Sequence, residues 1–398
     1  MADSFRPRFL KPSVLRQVGV KWLFRFLKPY LAWLASSGLT IRSERDLDHD
    51  MLDWLSVALM AGTGLPPGLP EAIDLLSDTS LPGMDDRLQH LAKRAKLTTD
   101  PDDHTADLAV RIYLKAPNLL EDLRREVESL RPRTIARYLA MSQAIPKPLR
   151  DLKRRCGALQ ESLRRDFFKR NRGNGTRVHF FPEDAGFRLM IRRGDTLRSQ
   201  AVIDEDEETR CLILRPELYD VIRYDPRHGD LLVNARAKAD IRAYCRFIGL
   251  HLFGDSSLFD GMNPPRRYSL DPIREMGEDI LTRGTFEAIE EVELNTLELD
   301  HPALDHVGLR LGPDNVFTAL RLVNGQIDPS AMLMRGKFTF KLTGERRKRP
   351  VIIVPPNTAI YDRDDAAEVI ELFLEWKEIL MPRTESLRGV PESLFALS

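Results

Sequence analysis

Thirteen cations fall within residues 131–172: Arg131, Arg133, Arg137, Lys147, Arg150, Lys153, Arg154, Arg155, Arg164, Arg165, Lys169, Arg170 and Arg172. Only Asp151, Glu161 and Asp166 oppose them, although the whole chain balances 60 Lys and Arg against 60 Asp and Glu. A local excess of this kind attracts polyanions or an acidic protein face. Arg dominates the block, and a guanidinium forks two phosphate or carboxylate oxygens where an ammonium acts as a point charge. The chemistry on offer is therefore phosphate contact. Its candidate residues are Arg150, Lys153, Arg154, Arg164, Arg165, Lys169, Arg170, Arg172 and, just beyond the block, Arg177. The turn Gly173-Asn174-Gly175 adds backbone N–H groups. Phe167, Phe168, Phe180 and Phe181 are near enough in sequence for any exposed ring to stack on a base. The competing explanation is a solvated helix face, neutralised by the acids of residues 46–130.

A second set of reactive residues lies in 215–238, RPELYDVIRYDPRHGDLLVNARAK. A strand carrying Asp220 and Asp225, a tight turn, a strand running to Lys238, and a following helix make up the pattern. This pattern resembles the core of the restriction-endonuclease-like PD-(D/E)xK superfamily. The resemblance implies Mg²⁺ held by acids and a Lys that polarises the attacked phosphate. Arg236 occupies the position where the family carries its second-strand Asp or Glu. Without that carboxylate a principal metal ligand is missing, which implies a core without cleavage. The enzyme alternative is a divergent metal-dependent nuclease built on Asp220, Asp225 and Lys238. Nuclease-like cores recur in bacterial defence systems, so the resemblance extends to a phage-defence role. An ordinary β-hairpin packed by the next helix explains the same residues.

Other clusters are weaker. LDHPALDH (299–306) gathers Asp300, His301, Asp305 and His306, enough donors for a metal, but its Pro and spacing suit a polar loop between strands. DLDHDMLD (46–53) lacks the Gly and Glu of an EF-hand, and its acids suit a helix N-terminus. GERRKRP (344–350) reads as a basic hairpin tip. GxxxxGK[ST], GxSxG and HExxH are absent, as is a GxGxxG after a strand, so ATPase, hydrolase, zincin and dinucleotide readings have no support. Cys156, Cys211 and Cys245 are too far apart and too few for a disulfide framework or a zinc site.

The elements that must position these residues follow from periodicity. Leu149, Leu152, Cys156, Leu159, Leu163 and Phe167 repeat at threes and fours, which predicts one amphipathic helix over about 147–170. Residues 1–172 read as helical throughout and end in this basic helix. Residues 173–262 read as a strand, hairpin and helix domain, and 273–381 as a β-rich domain with a closing helix. A Pro/Gly/Asp-rich loop, 255–272, is the expected boundary. In 14–35, Lys21, Arg25 and Lys28 interrupt the apolar run too often for a membrane span and share one helical face. Pro29 should end that helix. The fold class is α+β. The expected function is a non-enzymatic recognition or adaptor subunit of a larger assembly in the cytoplasm. It would bind nucleic acid, or else an acidic protein partner as a pure scaffold. It would have no cofactor, with Mg²⁺ only under the nuclease alternative.

Overall fold

A computed structural model describes residues 7–61, 64–100, 102–183, 186–203, 208–300, 308–311, 316–322, 327–364 and 366–383. The fold is mixed α+β and divides into two compact units, Met1–Glu128 with Ala201–Leu212, and Ser129–Gln200 with Ile213–Ser398.

The first unit is built on helices Val20–Leu27, His49–Ala61, Leu69–Thr79, Asp85–Arg94, Thr105–Lys115 and Pro117–Glu128. In the first of these Leu23, Phe26 and Leu27 are buried, and Phe26 meets Phe9, Tyr30 and Tyr113 edge-on. Lys21 and Arg25 stay exposed over the Trp22 ring. The α-helix stops at Leu27, and a 3-10 turn, Lys28–Tyr30, carries the chain through Pro29, which has no N–H to continue the helix. Asp48 accepts the Met51 N–H at the start of His49–Ala61, the helix-start role expected of that acidic run.

The strands are β1 (Thr134–Leu139), β2 (Arg177–Pro182), β3 (Phe187–Gly194), β4 (Arg198–Ile203), β5 (Thr209–Leu214) and β6 (Glu217–Asp225). They continue with β7 (Asp230–Asn234), β8 (Ile289–Asp300), β9 (Gly308–Leu311), β10 (Met332–Leu342), β11 (Arg349–Val354) and β12 (Thr358–Ile360). Ten of them form one sheet in the second unit, β2-β3-β6-β7-β1-β12-β11-β10-β8-β9, and β4 and β5 pair separately. Every pairing within the large sheet is antiparallel.

The structure differs from the sequence reading in two places. Residues 129–172 are not the end of a helical region. Their stretch Thr134–Leu139 is a central strand that pairs Tyr138 with Leu231 on one side and Ile135 with Ala359 on the other. Nor does 255–272 separate the β-rich segments into domains, since β2–β3–β6–β7 and β8–β12 share the sheet that β1 joins. Within that loop Tyr268 and Leu270 are fully buried, and the Arg267 and Tyr268 N–H groups both donate to the Pro356 carbonyl. Burial of this much backbone requires such partners.

Three helices matter below. The basic helix, Leu152–Lys169, and the hairpin helix, Lys238–Ile248, cover the inner face of β3, β6 and β7 through Phe187, Leu189, Ile191, Ile222, Tyr224, Leu231 and Val233. The closing helix, Ala367–Trp376, buries Ile370, Phe373 and Leu374 in a second core with β8, β10 and β11.

Candidate functional site

The basic helix starts at Leu152, five residues later than the periodicity predicts. Lys147 precedes Pro148, and a residue before proline is pushed out of the helical region. Asp151 then takes a left-handed conformation at φ 58° and gives the helix no side-chain cap. From there the predicted seam holds: Cys156, Leu159, Leu163 and Phe167 are all buried. The helix is also tied to the edge strand β2, where the Val178 N–H donates to Gln160 Oε1 at 3.0 Å.

With one face fixed by the seam, the cations divide into two groups. Glu161 binds both Arg164 (2.8 Å) and Arg165 (2.9 Å), and these two hold its carboxyl down to about 2. Arg170 is clamped between Asp166 and the fully buried Asp240. Arg172 meets Asp195 at 2.5 Å, and Arg133 pairs with Asp362. Arg137 is buried at the sheet centre. Four of the nine expected phosphate ligands, Arg164, Arg165, Arg170 and Arg172, therefore already have carboxylate partners.

The remainder form the open surface. Lys147, Arg150, Lys153 and Arg154 are exposed and make no ion pair among the described residues, and the same holds for Lys169 and Arg177. The Arg155 guanidinium donates to the Arg150 carbonyl at 2.9 Å. The first turn of the basic helix thus carries Lys153, Arg154 and Arg155 and no acid. Cations there add to the positive end of the helix dipole, which is where an anion is best stabilised.

The sequence reading missed the second contributor. On the hairpin helix Arg242 and Arg246, with Lys238 one turn earlier and Arg236 before it, are exposed and without an ion pair among the described residues. The acid of that helix, Asp240, is buried and turned to Arg170 and Arg193. A cleft of about 250 Å³ lies between the two helices, lined by Asp166 and Arg170 on one side and Arg242, Arg246 and Phe247 on the other. Nearby, Ser162 hydrogen-bonds His251 Nε2 at 2.8 Å, and burial together with Arg155 lowers the pKa of that imidazole. The 4-residue spacing of Lys238, Arg242 and Arg246 was visible in the sequence. Its closeness to the basic helix was not.

The nuclease residues are not brought together. Asp220 and Asp225 lie five apart on β6, an odd spacing that sends them to opposite faces of the sheet. Asp220, beside the inward-facing Ile222 and Tyr224, accepts from Arg193 Nε and Tyr244 Oη, each at 2.5 Å. Asp225 meets Arg137 Nη1 at 3.1 Å and His228 Nδ1 at 2.7 Å on the other face. Burial raises the Asp225 carboxyl, but His228 and Arg137 more than reverse this and hold it well below the usual carboxylate range. Lys238 is exposed at the start of the hairpin helix. No group of three or more His, Cys, Asp and Glu among the described residues is placed to hold a metal. Asp300 ends β8, while His301, Asp305 and His306 lie outside the described residues.

Asp225 belongs to a buried ion cluster. Arg137 Nη1 lies 3.1 Å from both Asp225 and Asp230, and its Nη2 lies 2.8 Å from Glu371 on the closing helix. Arg267 also reaches Asp230, Arg363 reaches Glu371, and His228 Nε2 lies 2.8 Å from Glu375. A cleft of about 510 Å³ opens beside the cluster, and its Arg227, Arg363, Asp225, Glu368 and Glu371 are engaged in ion pairs.

The GERRKRP tip joins β10 and β11 as expected. Its Lys348 pairs with Glu291 and Glu293, and its Arg349 with Glu345 and Asp364. No helix among the described residues is long and apolar enough to cross a membrane. No protein-family model matches the chain, and no curated protein is similar to it in sequence.

Proposed function

We propose that this chain is a non-catalytic recognition subunit that binds the phosphate backbone of nucleic acid through the start of its basic helix. The observation that supports this most is the group Lys147, Arg150, Lys153 and Arg154, exposed together and without ion pairs among the described residues. Cations at the positive end of a helix dipole raise the local potential, and a bound polyanion is attracted there. Arg164, Arg165, Arg170 and Arg172 have a supporting role, since their carboxylate partners fix the helix and the turn that follows it. Binding of this kind needs no cofactor, and the subunit acts as an adaptor in a larger assembly. Cys156 and Cys245, both buried and outside any disulfide, suit a reducing compartment such as the cytoplasm, and burial pushes the Cys156 thiol up to about 11.

The test is fluorescence anisotropy with labelled duplex and single-stranded DNA and RNA across a salt series. Affinity should fall steeply with salt, with a logarithmic slope of about −0.9 per phosphate contact on duplex. No binding at low salt, or a flat salt dependence, overturns the reading. A pull-down of an acidic protein that survives nuclease treatment would replace nucleic acid with that partner.

A further inference from the structure

We infer that the cleft between the basic helix and the hairpin helix seats a backbone phosphate of duplex nucleic acid, so that the contact surface crosses two helices instead of following one. This rests on the function proposed above and extends it to residues far away in sequence.

The donors around the cleft are arranged for an anion. Arg242 and Arg246 are one helical turn apart and both line the cleft. Ala239 and Ala243, on the same side of the helix, present only methyl groups between them. The result is a shallow floor with cationic walls, where a phosphate can approach closely. Arg170 forms the opposite wall, its guanidinium held in place by Asp166 and Asp240. Asp166, the acid in the cleft, shares the Arg170 guanidinium with Asp240, so Arg242 and Arg246 are the cations of the cleft that face a ligand. Arg242 and Arg246 make no ion pair among the described residues, so their donors are available to a ligand.

The aromatic rings of the two helices favour a duplex over a single strand. Single strands are held largely by stacking their bases on exposed aromatic rings. On these two helices Phe167 and Tyr244 are fully buried. Phe247 is half-buried, with the Arg246 guanidinium over it and His251 stacked beside it. Phe168 alone among these rings is well exposed, at 58%. Such a surface offers charge to backbone phosphates but little to unstacked bases. A duplex, with charge on both strands, suits two cationic ridges separated by a cleft.

The experiment compares Arg242→Ala/Arg246→Ala with Arg150→Ala/Lys153→Ala/Arg154→Ala in the full chain, with a labelled duplex and the matching single strand. Both variants should bind duplex more weakly than wild type. The Arg242/Arg246 variant should flatten the salt slope by about 0.9, the value for the one phosphate the cleft seats. Wild type should prefer duplex over single strand. Arg242→Gln/Arg246→Gln, which removes the charge but keeps a polar, helix-compatible side chain, should behave as the Ala pair does and serves if the Ala pair fails to fold. If the Arg242/Arg246 variants bind like wild type while the triple variant loses binding, the two-helix surface is wrong and the function above stands. A single-strand preference rejects the duplex assignment. If wild type binds neither, the proposed function itself falls.

Discussion

Arginine is used in two opposite ways within the second unit. Around Arg137 the guanidinium is fully buried and surrounded by Asp225, Asp230 and Glu371, which come from two strand ends and the closing helix. At the start of the basic helix and along the hairpin helix, Arg150, Arg154, Arg242 and Arg246 stand in solvent without carboxylate partners among the described residues. A buried charge without a partner costs several kcal/mol, so the Arg137 cluster must be complete in the free protein. An exposed charge costs little to leave open and keeps its donors for a ligand. Counting cations along the chain cannot separate these uses, because the acids that complete a cluster come from distant residues.

The comparison predicts that substitutions in the two regions act on different observables. The largest expected effect is from Arg137→Met. It removes the cation shared by Asp225, Asp230 and Glu371 and should cost about 3–5 kcal/mol in urea unfolding, the range for removing one partner of a buried pair. A shift small enough for a surface site would mean the cluster is not buried as described. Next is Arg150→Ala/Lys153→Ala/Arg154→Ala, which should leave the unfolding midpoint near wild type while flattening the salt slope of duplex binding by about 2.7. A large loss of stability with unchanged binding would reverse the roles of the two regions.

A third prediction concerns pH. Burial lowers the His228 pKa, but Asp225 and Glu375 outweigh it and the net shift is upward. Its contribution to stability is therefore complete below its ordinary value of about 6.5 and is lost as pH rises through the folded value. Glu371 has the opposite sign. Burial raises it, Arg137 and Arg363 overturn this to about 2, and its contribution is lost as pH falls from the ordinary value of 4.5 toward that level. Stability should be greatest between these limits. His228→Gln should abolish the fall on the alkaline side and leave the acid side in place, as read from urea midpoints against pH. The smallest effect is expected from Arg165→Ala. Its guanidinium is 72% exposed and shares Glu161 with Arg164, so unfolding and duplex binding should both stay close to wild type.

Local features were legible in the sequence where a short repeat determines burial. The seam Cys156, Leu159, Leu163, Phe167 is buried as its spacing requires, and β3, β6 and β7 follow the strand patterns near 187–194, 217–225 and 230–234. β1 was not legible. Thr134–Leu139 becomes a strand because it pairs with β7 and β12, roughly 95 and 225 residues downstream, and no local signal carries that information. The candidate surface was legible in its first half and hidden in its second. Arg150, Lys153 and Arg154 sit in the charge block, whereas Arg242 and Arg246 come beside Asp166 and Arg170 only because two helices pack side by side on the same sheet face. The acids that pair with Arg170 and Arg172, Asp240 and Asp195, also lie outside the block. The hairpin resemblance misled for a geometric reason, since Asp220 and Asp225 are close in sequence yet separated by the thickness of a strand.

The opening turn of the basic helix has a further consequence. Its Lys153, Arg154 and Arg155 repel one another at the dipole's positive end, and left-handed Asp151 supplies no side-chain cap. This turn should be the first segment of the helix to fray, so its amides should exchange with solvent deuterium faster than those around Leu159 and Leu163. An anion seated there would remove the repulsion. Protection would then extend from the middle of the helix out to Leu152, giving a map of occupancy that needs no knowledge of the ligand's identity.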